Sequence, residues 1–348
     1  MEFRKVIRNG IEYRFDPLTN EQCRINPQRA KRVKQVENPD RVGAESRIEL
    51  EEIIKKSEDG CVFCPQLIAE KTPEFPPDIS PEGRIKKGET IIFPNLNPFS
   101  ENHAVGIITT EHFLPLNEFS EKQLTDNLVA STNYIRRVYG NNKDAKFPSY
   151  IWNYMPPSAG SIIHPHVQLM IEREPLPQQK LLMDKSWEYF QQNKNNYWTD
   201  LIEAERELGG GLRSKQLSEV SRFIFENDSL ALITSFAPRG FNEIQFIFPQ
   251  ISSFTDMTDT HIADFVRCLM TVLCGYQEMG IGSFNLVTYS GPICKPLNYY
   301  CFNIKLISRP FPRFVYTNDT GAFERLYNVW VVDTLPEQLA EKIRSKVK

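Results

Sequence analysis

One order of elements occurs twice in this chain, about 137 residues apart, and no other feature constrains the fold as strongly. Apolar residues at helical spacing run over 121–139, with Leu124, Leu128, Ile135 and Val138 on one face. They run again over 260–279, with Ile262, Phe265, Val266, Leu269, Leu273 and Tyr276 on one face. Ser120, followed three residues later by Gln123, predicts a capping box at the first start. One strand-like segment precedes each helix (103–109; 242–248) and two follow it (149–154 and 164–171; 284–289 and 300–308). His164-Pro165-His166-Val167-Gln168 then lies over Cys301-Phe302-Asn303-Ile304-Lys305, and 95–100 lies near 233–238. Such a repeat predicts an α+β chain of two related halves, 1–178 and 179–348, each an antiparallel sheet with a packed helix. The 24 prolines, concentrated at 72–81 and 156–177, favour short strands and turns over a helical bundle.

The formal net charge of −3, with 24% charged residues, shows no basic excess that would mark nucleic acid or an anionic membrane as partner. Residues 1–5 mix charges with single apolar residues, and no stretch approaches the roughly 20 apolar residues of a spanning helix, so a cytoplasmic protein is expected. Seven cysteines, an odd number at wide spacings, suit a reducing compartment in which cysteine pairs bind metal.

Two of the five histidines flank Pro165, and period-two alternation puts His164, His166 and Gln168 on one strand face. Three polar groups on one face need partners or a ligand to offset their desolvation. Pro165 removes a ladder donor, which predicts an edge strand or a bulge. The preceding 156–161, Pro-Pro-Ser-Ala-Gly-Ser, has small residues whose free N–H groups can wrap an anion. Cys61-Val62-Phe63-Cys64 has a spacing that serves zinc sites and redox motifs alike, and no thioredoxin-like βαβ pattern surrounds it. His112 and His164 are the candidates to complete a Cys₂His₂ zinc set. His103 and His261 read as ordinary residues, with His103 near enough to His112 in sequence to support the site. Arg29 and Arg32 can converge on one anion if 26–32 turns helically.

Together these residues resemble the galactose-1-phosphate uridylyltransferase family, the two-domain branch of the histidine triad superfamily. Its signature resembles His164-Pro165-His166-x-Gln168, with Asn153 on the previous strand and Gly160-Ser161 in the intervening loop. Arg29-Ala30-Lys31-Arg32 is similar to the family's nucleotide-binding segment, Cys61 to Cys64 to its CxxC, and Thr110-Glu111-His112 to the segment of its third zinc ligand. Asn95-Leu96-Asn97-Pro98-Phe99 resembles its nucleotide-contacting loop, so the match spans roughly 24–172.

The resemblance implies a histidine-triad-like fold in each half and ping-pong transfer of a nucleoside monophosphate. His166 would attack the α-phosphorus of a UDP- or ADP-hexose. Gln168, Ser161 and Gly160 would hold phosphate oxygens, Arg29 and Arg32 would balance their charge, and Asn95, Asn97 and Asn153 would complete the nucleotide site. Zinc on Cys61, Cys64, His112 and His164, with no open position, would fix His164 and hence His166. The acceptor would be a sugar 1-phosphate, or inorganic phosphate as in related phosphorylases. The non-enzymatic alternative is a zinc-stabilised nucleotide-binding module, and a homodimer is compatible with either. The second half departs from the family: Cys301, Asn303 and Lys305 stand where relatives carry a further HxH-like motif. Phe323-Glu324 resembles a Tyr-Glu pair that reads the hexose, which makes Glu324 a substrate-binding candidate, yet the glutamine expected soon after is absent from 326–333. Lys305 adds a positive charge that favours a phosphate-bearing acceptor.

Overall fold

The computed structural model describes residues 1–31, 44–208, 221–314 and 318–347. Alternating apolar segments pair into one ten-stranded sheet, antiparallel throughout. Its first five strands are β4 (Ile85–Lys87), β5 (Thr90–Pro94), β6 (His103–Ile107), β7 (Phe147–Tyr154) and β8 (His166–Glu172). The other five are β9 (Phe223–Glu226), β10 (Ala231–Thr234), β11 (Ile244–Phe248), β12 (Ser283–Tyr289) and β13 (Phe302–Arg309). They lie in the order β4-β5-β6-β8-β7-β12-β13-β11-β10-β9, so the second five mirror the first about the β7–β12 pairing. The expected repeat is therefore present as two copies of one strand order, and register joins them edge to edge, with Asn153 opposite Asn285.

The two expected helices are α3 (Glu121–Asn141) and α6 (Asp259–Glu278). The capping box of α3 forms as expected: Gln123 N donates to Ser120 Oγ at 3.2 Å and Ser120 N to Gln123 Oε1 at 2.9 Å. α6 is capped by Thr258, whose Oγ1 accepts from His261 N at 3.3 Å, which gives His261 a local structural role. Leu124, Leu128, Ile135, Phe265, Leu269 and Leu273 pack in one core with Val167, Leu169 and Ile171 of β8 and with Phe302, Ile304 and Leu306 of β13. Alternation then turns His166, Gln168, Asn303 and Lys305 toward the opposite face of the sheet.

That face is covered by elements the periodicity did not predict. They include α4 (Pro177–Asn193) and α5 (Tyr197–Leu208), and a short α2 (Ile68–Lys71) that follows the CxxC segment; α1 (Ala44–Glu58), also not predicted, packs Leu50 and Ile53 against the main core instead. The proline cluster that read as turns ends by starting a helix, because Pro177 occupies the first turn of α4, where its missing N–H costs nothing. Leu182, Met183, Tyr197, Trp198, Leu201 and Ile202 of α4 and α5 pack on Ala231, Ile233 and Ile247. Pro165 also differs from expectation. β8 is central, paired with β6 and β7, and Pro165 sits just before its first residue, where no ladder donor is needed.

A four-stranded sheet of β1 (Lys5–Arg8), β2 (Ile11–Phe15), β3 (Gln22–Ile25) and β14 (Trp330–Val332) brings the two chain ends together, with β14 parallel to β3. Between the flanking α7 (Ala322–Tyr327) and α8 (Pro336–Arg344), α8 contributes Glu337 to a buried charge network. Glu337 accepts from Arg14 and Arg222, and Arg222 Nε donates to Glu205 Oε1 at 2.9 Å. Burial pushes the fully buried Glu205 carboxyl up to about 7, against the pull of Arg222. A carboxyl raised in the folded state binds its proton more tightly than in the unfolded chain, so this group's stabilising contribution is present below the ordinary carboxylate range and is lost as pH rises through about 7. The loss amounts to at most about 3 kcal/mol. Glu205→Gln, which cannot ionise, should therefore gain thermal stability relative to the wild type between pH 5.5 and pH 8. A difference in Tm that is the same at both pH values would contradict the assignment.

Candidate active site and metal centre

The CxxC segment lies just beyond α1, and the chain turns so that Cys61 and Cys64 face the loop after β6 and the residue pair before β8. There Cys61, Cys64, His112 and His164, all buried, bring one ligand atom each within 4.8 Å of one another, an arrangement that can hold a metal ion. Cys64 Sγ lies 3.4 Å from His112 Nδ1 and 3.5 Å from His164 Nδ1. The opposite ring nitrogens are both occupied. His164 Nε2–H donates to Thr109 O at 2.8 Å. His112 Nε2 lies 2.9 Å from Ser57 Oγ, whose own proton goes to Ile54 O, so Ser57 accepts from the ring. Both imidazoles are thus held in the tautomer that leaves Nδ1 a lone pair facing the thiols, which is what a metal requires of its histidines. Burial holds His164 down to about 4 and lowers His112, so both rings stay neutral at pH 7. Burial, with Cys61 adding to it, pushes the Cys64 thiol up to about 12, so this thiol gives its proton up only to a cation. The donor set fits a tetrahedral N₂S₂ ion.

The next residues hang on this centre through the backbone. His166 Nδ1–H donates to His164 O at 2.7 Å, which leaves Nε2 with its lone pair. Only 7% of His166 is exposed, the Phe63 ring stands edge-on at 5.1 Å, and burial lowers its pKa, so a neutral imidazole is held in one orientation. A neutral ring nitrogen with a free lone pair, held in one orientation at the start of a central strand, can serve as a nucleophile.

Gln168 Oε1 lies 3.1 Å from His103 Nε2, a contact the sequence reading did not foresee. Phe99 N–H donates to His103 Nδ1 at 3.4 Å, which makes Nε2 the proton donor to Gln168 and leaves the Gln168 NH₂ group free to donate elsewhere. Asn95, beside the same ring, accepts at Oδ1 from Asn97 N at 2.9 Å in a tight turn. His103 therefore belongs with the 95–99 loop and Gln168, away from His112. The cross-strand register could have signalled this: His103 and Gln168 sit diagonally on one face of the β6–β8 pair.

The 155–161 loop crosses the end of β7. A Cβ on Gly160 would lie 2.8 Å from Asn153 O, so only glycine fits there. The N–H groups of Gly160 and Ser161 have no partner among the described residues, and Ser161 itself is exposed. Asn153 Oδ1 accepts from Asn285 at 2.6 Å. Arg29 is exposed on the 3-10 turn Pro27–Lys31 that leaves the four-stranded sheet. Arg32 lies outside the described residues. Glu324 Oε2 accepts from Gly321 N at 2.8 Å, capping the start of α7.

The second half repeats this geometry with other chemistry. Asn303 Nδ2 donates to Cys301 O at 3.1 Å, as His166 does to His164 O. Lys305 Nζ donates to Glu243 Oε1 at 2.7 Å, and Arg239 N to Glu243 Oε2 at 2.7 Å, as Phe99 N does to His103. The Lys305 charge is therefore neutralised by a buried carboxylate, which removes the reason to assign it a phosphate-bearing acceptor.

No protein-family model matches the chain. An uncharacterised protein of Archaeoglobus fulgidus is 29% identical over 343 residues, covering 98% of this chain and 93% of that protein. Among solved structures, an ADP-glucose phosphorylase from Arabidopsis thaliana with bound ADP-glucose superposes with TM-score 0.72 at 19% identity, covering 97% of this chain and 99% of its own. A GalT-like protein from Arabidopsis thaliana superposes with TM-score 0.68 at 18% identity, over 96% and 98%. A uridylyltransferase superposes with TM-score 0.65 at 20% identity, over 96% and 97%. The chain has the α+β fold of these proteins.

Proposed function

We propose that this protein is a nucleotidyltransferase that moves a nucleoside monophosphate from a nucleotide sugar to a sugar 1-phosphate through a covalent adduct on His166. The observation that carries the reading is the 2.7 Å bond from His166 Nδ1 to His164 O, which leaves Nε2 as the attacking atom. In the first step the Nε2 lone pair forms a bond to the α-phosphorus. The bond from that phosphorus to its bridging oxygen breaks, and the sugar 1-phosphate leaves with the electron pair. In the second step a phosphate oxygen of the acceptor attacks the same phosphorus, and the P–N electron pair returns to Nε2. The Gln168 amide and the Gly160 and Ser161 N–H groups donate to the phosphoryl oxygens, whose charge is greatest between these states. Arg29 and Arg32 balance that charge, Asn95 and Asn97 bind the nucleoside, and Asn153 supports the loop. Cys61, Cys64, His112 and His164 would hold zinc, which supplies a fixed tetrahedral anchor and no open coordination position. The division at 178/179 assigns the nucleophile and metal to the first half.

The neutral ring of His166 and the unpaired loop amides favour an enzyme over a binding module. Inorganic phosphate as acceptor is the second reading, favoured by the Glu324 carboxylate, which caps α7 at Gly321 where a hexose-reading group would need it free. Intact mass after separate incubation with UDP-glucose, ADP-glucose and diadenosine tetraphosphate tests the proposal. One donor should add a uridylyl or adenylyl mass, and discharge by glucose 1-phosphate, galactose 1-phosphate or phosphate then identifies the acceptor. Metal-loaded protein that gains no mass from any donor would refute it. His103→Leu should lower the rate of adduct formation about tenfold, because the Gln168 amide is then free to flip, while metal content stays unchanged. A rate within twofold of wild type would remove His103 from the site.

A further inference from the structure

The 155–161 loop has a backbone that its own sequence does not explain. Met155 and Ala159 hold φ values of 71° and 68°, in the left-handed region that non-glycine residues rarely occupy. Such a conformation persists only where the surroundings over-determine it. Within the loop, Ser158 N and Oγ both donate to Met155 O, at 3.0 and 2.7 Å, and Ala159 N donates to Pro156 O at 2.9 Å. These bonds close the 3-10 turn but do not fasten it to the sheet.

The fastening comes from the other half of the molecule. Asn285, opposite Asn153 in the β7–β12 ladder, donates from Nδ2 to Asn153 Oδ1 at 2.6 Å and to Ser158 O at 2.8 Å. Its Oδ1 accepts from Arg309 Nη1 at 2.9 Å. Arg309, at the end of β13, is held in turn by Asp319, with Nε 3.0 Å from each carboxylate oxygen. The carboxamide therefore has one orientation: its acceptor faces a guanidinium that has nothing to accept with, and both its protons face the loop and Asn153.

We infer that Asn285 is a positioning residue contributed by the C-terminal half, which, oriented by Arg309 and Asp319, clamps the 155–161 loop so that the Gly160 and Ser161 amides stay available to an anion. This gives the half that lacks the HxH histidines a role in the site. The inference rests on the proposed reading of that loop as the segment that binds the transferred phosphoryl group.

Amide hydrogen exchange of the full-length protein tests the clamp without reference to activity. In Asn285→Ala, exchange across 155–162 should rise about tenfold or more, while peptides of α3 and α6 keep wild-type protection and metal content is unchanged. Arg309→Ala, which leaves the carboxamide free to turn, should give a smaller rise in the same peptides. If Asn285→Ala does not fold, Arg309→Ala alone decides. Unchanged exchange across 155–162 in both variants, or in Arg309→Ala where Asn285→Ala does not fold, would overturn the clamp. With the nucleotide sugar that labels the wild type, Asn285→Ala should lower kcat for adduct formation about 30-fold with KM changed less than threefold, since aligned amides matter most to the charge that develops on the phosphoryl group. A loosened loop with a wild-type kcat would show that its amides do not serve the phosphate. A wild type that forms no adduct would refute the proposed function, whereas the exchange result would still decide the clamp.

Discussion

His166→Ala is expected to abolish nucleotidyl transfer, with a loss on the order of 10⁴-fold or more, because no neighbouring group can take over the bond to phosphorus. His103 is engaged with Gln168, and His164 directs its Nδ1 to the thiols and its Nε2 to Thr109. The variant should keep its metal and its fold. Val167, Leu169 and Ile171 hold β8 in the main core, and His166 lies on the other face, where it touches Phe63 and the His164 carbonyl. Intact mass with each donor and steady-state rates with each acceptor check this. Wild-type turnover in a variant that forms no adduct would show that the chain transfers its group without His166.

Cys64→Ser is expected to have the largest effect on stability. Its thiol lies against His112 and His164, and the three segments that supply the four proposed ligands meet over a small apolar cluster, Phe63, Ile68, Phe93, Val105 and Ile107. A structural metal contributes its binding free energy directly to folding, so losing it should cost about 3 kcal/mol or more and lower Tm by roughly 5 °C or more. Because His166 hangs on the carbonyl of His164, a proposed metal ligand, adduct formation should fall as well. Elemental analysis of wild type and Cys64→Ser, with thermal unfolding before and after chelation, checks both effects. Protein that contains no zinc as isolated, or a Cys64→Ser variant with undiminished zinc, would refute the centre.

The two readings of the acceptor differ in what the second half must do. If a hexose phosphate is read selectively, buried polar groups have to pair with its hydroxyls, since that pairing is what makes the wrong epimer costly. The candidates carried over from the first half are already engaged: Asn303 with Cys301 O, Lys305 with Glu243, and Glu324 with Gly321 N. The engagement of these groups agrees with weak discrimination between glucose 1-phosphate and galactose 1-phosphate, and it leaves the clamp on the phosphate loop as the second half's proposed contribution.

Local chemistry was legible in the sequence wherever one short segment decides it. The capping box at Ser120, the apolar stripes of α3 and α6, and the alternation that separates His166 and Gln168 from Val167 and Leu169 all follow from spacings of two to four residues. The CxxC is read from such a spacing too, but its meeting with His112 and His164, 48 and 100 residues beyond Cys64, was expected only from the kinds of donor that complete such a set and from the family resemblance. The strand order of the second half followed from the repeat, since a period of this length reproduces topology even where the residues diverge. What the tertiary structure alone decided are pairings between segments far apart in the chain. Lys305 is neutralised by Glu243, 62 residues away. Ser57 sets the tautomer of His112 from a helix that the periodicity did not predict. Asn285 reaches Ser158 across 127 residues. The physical reason is the same in each case: a polar side chain's role is set by which partner satisfies it when it is buried, and that partner is chosen by strand register and by how the two halves meet, which no local spacing encodes.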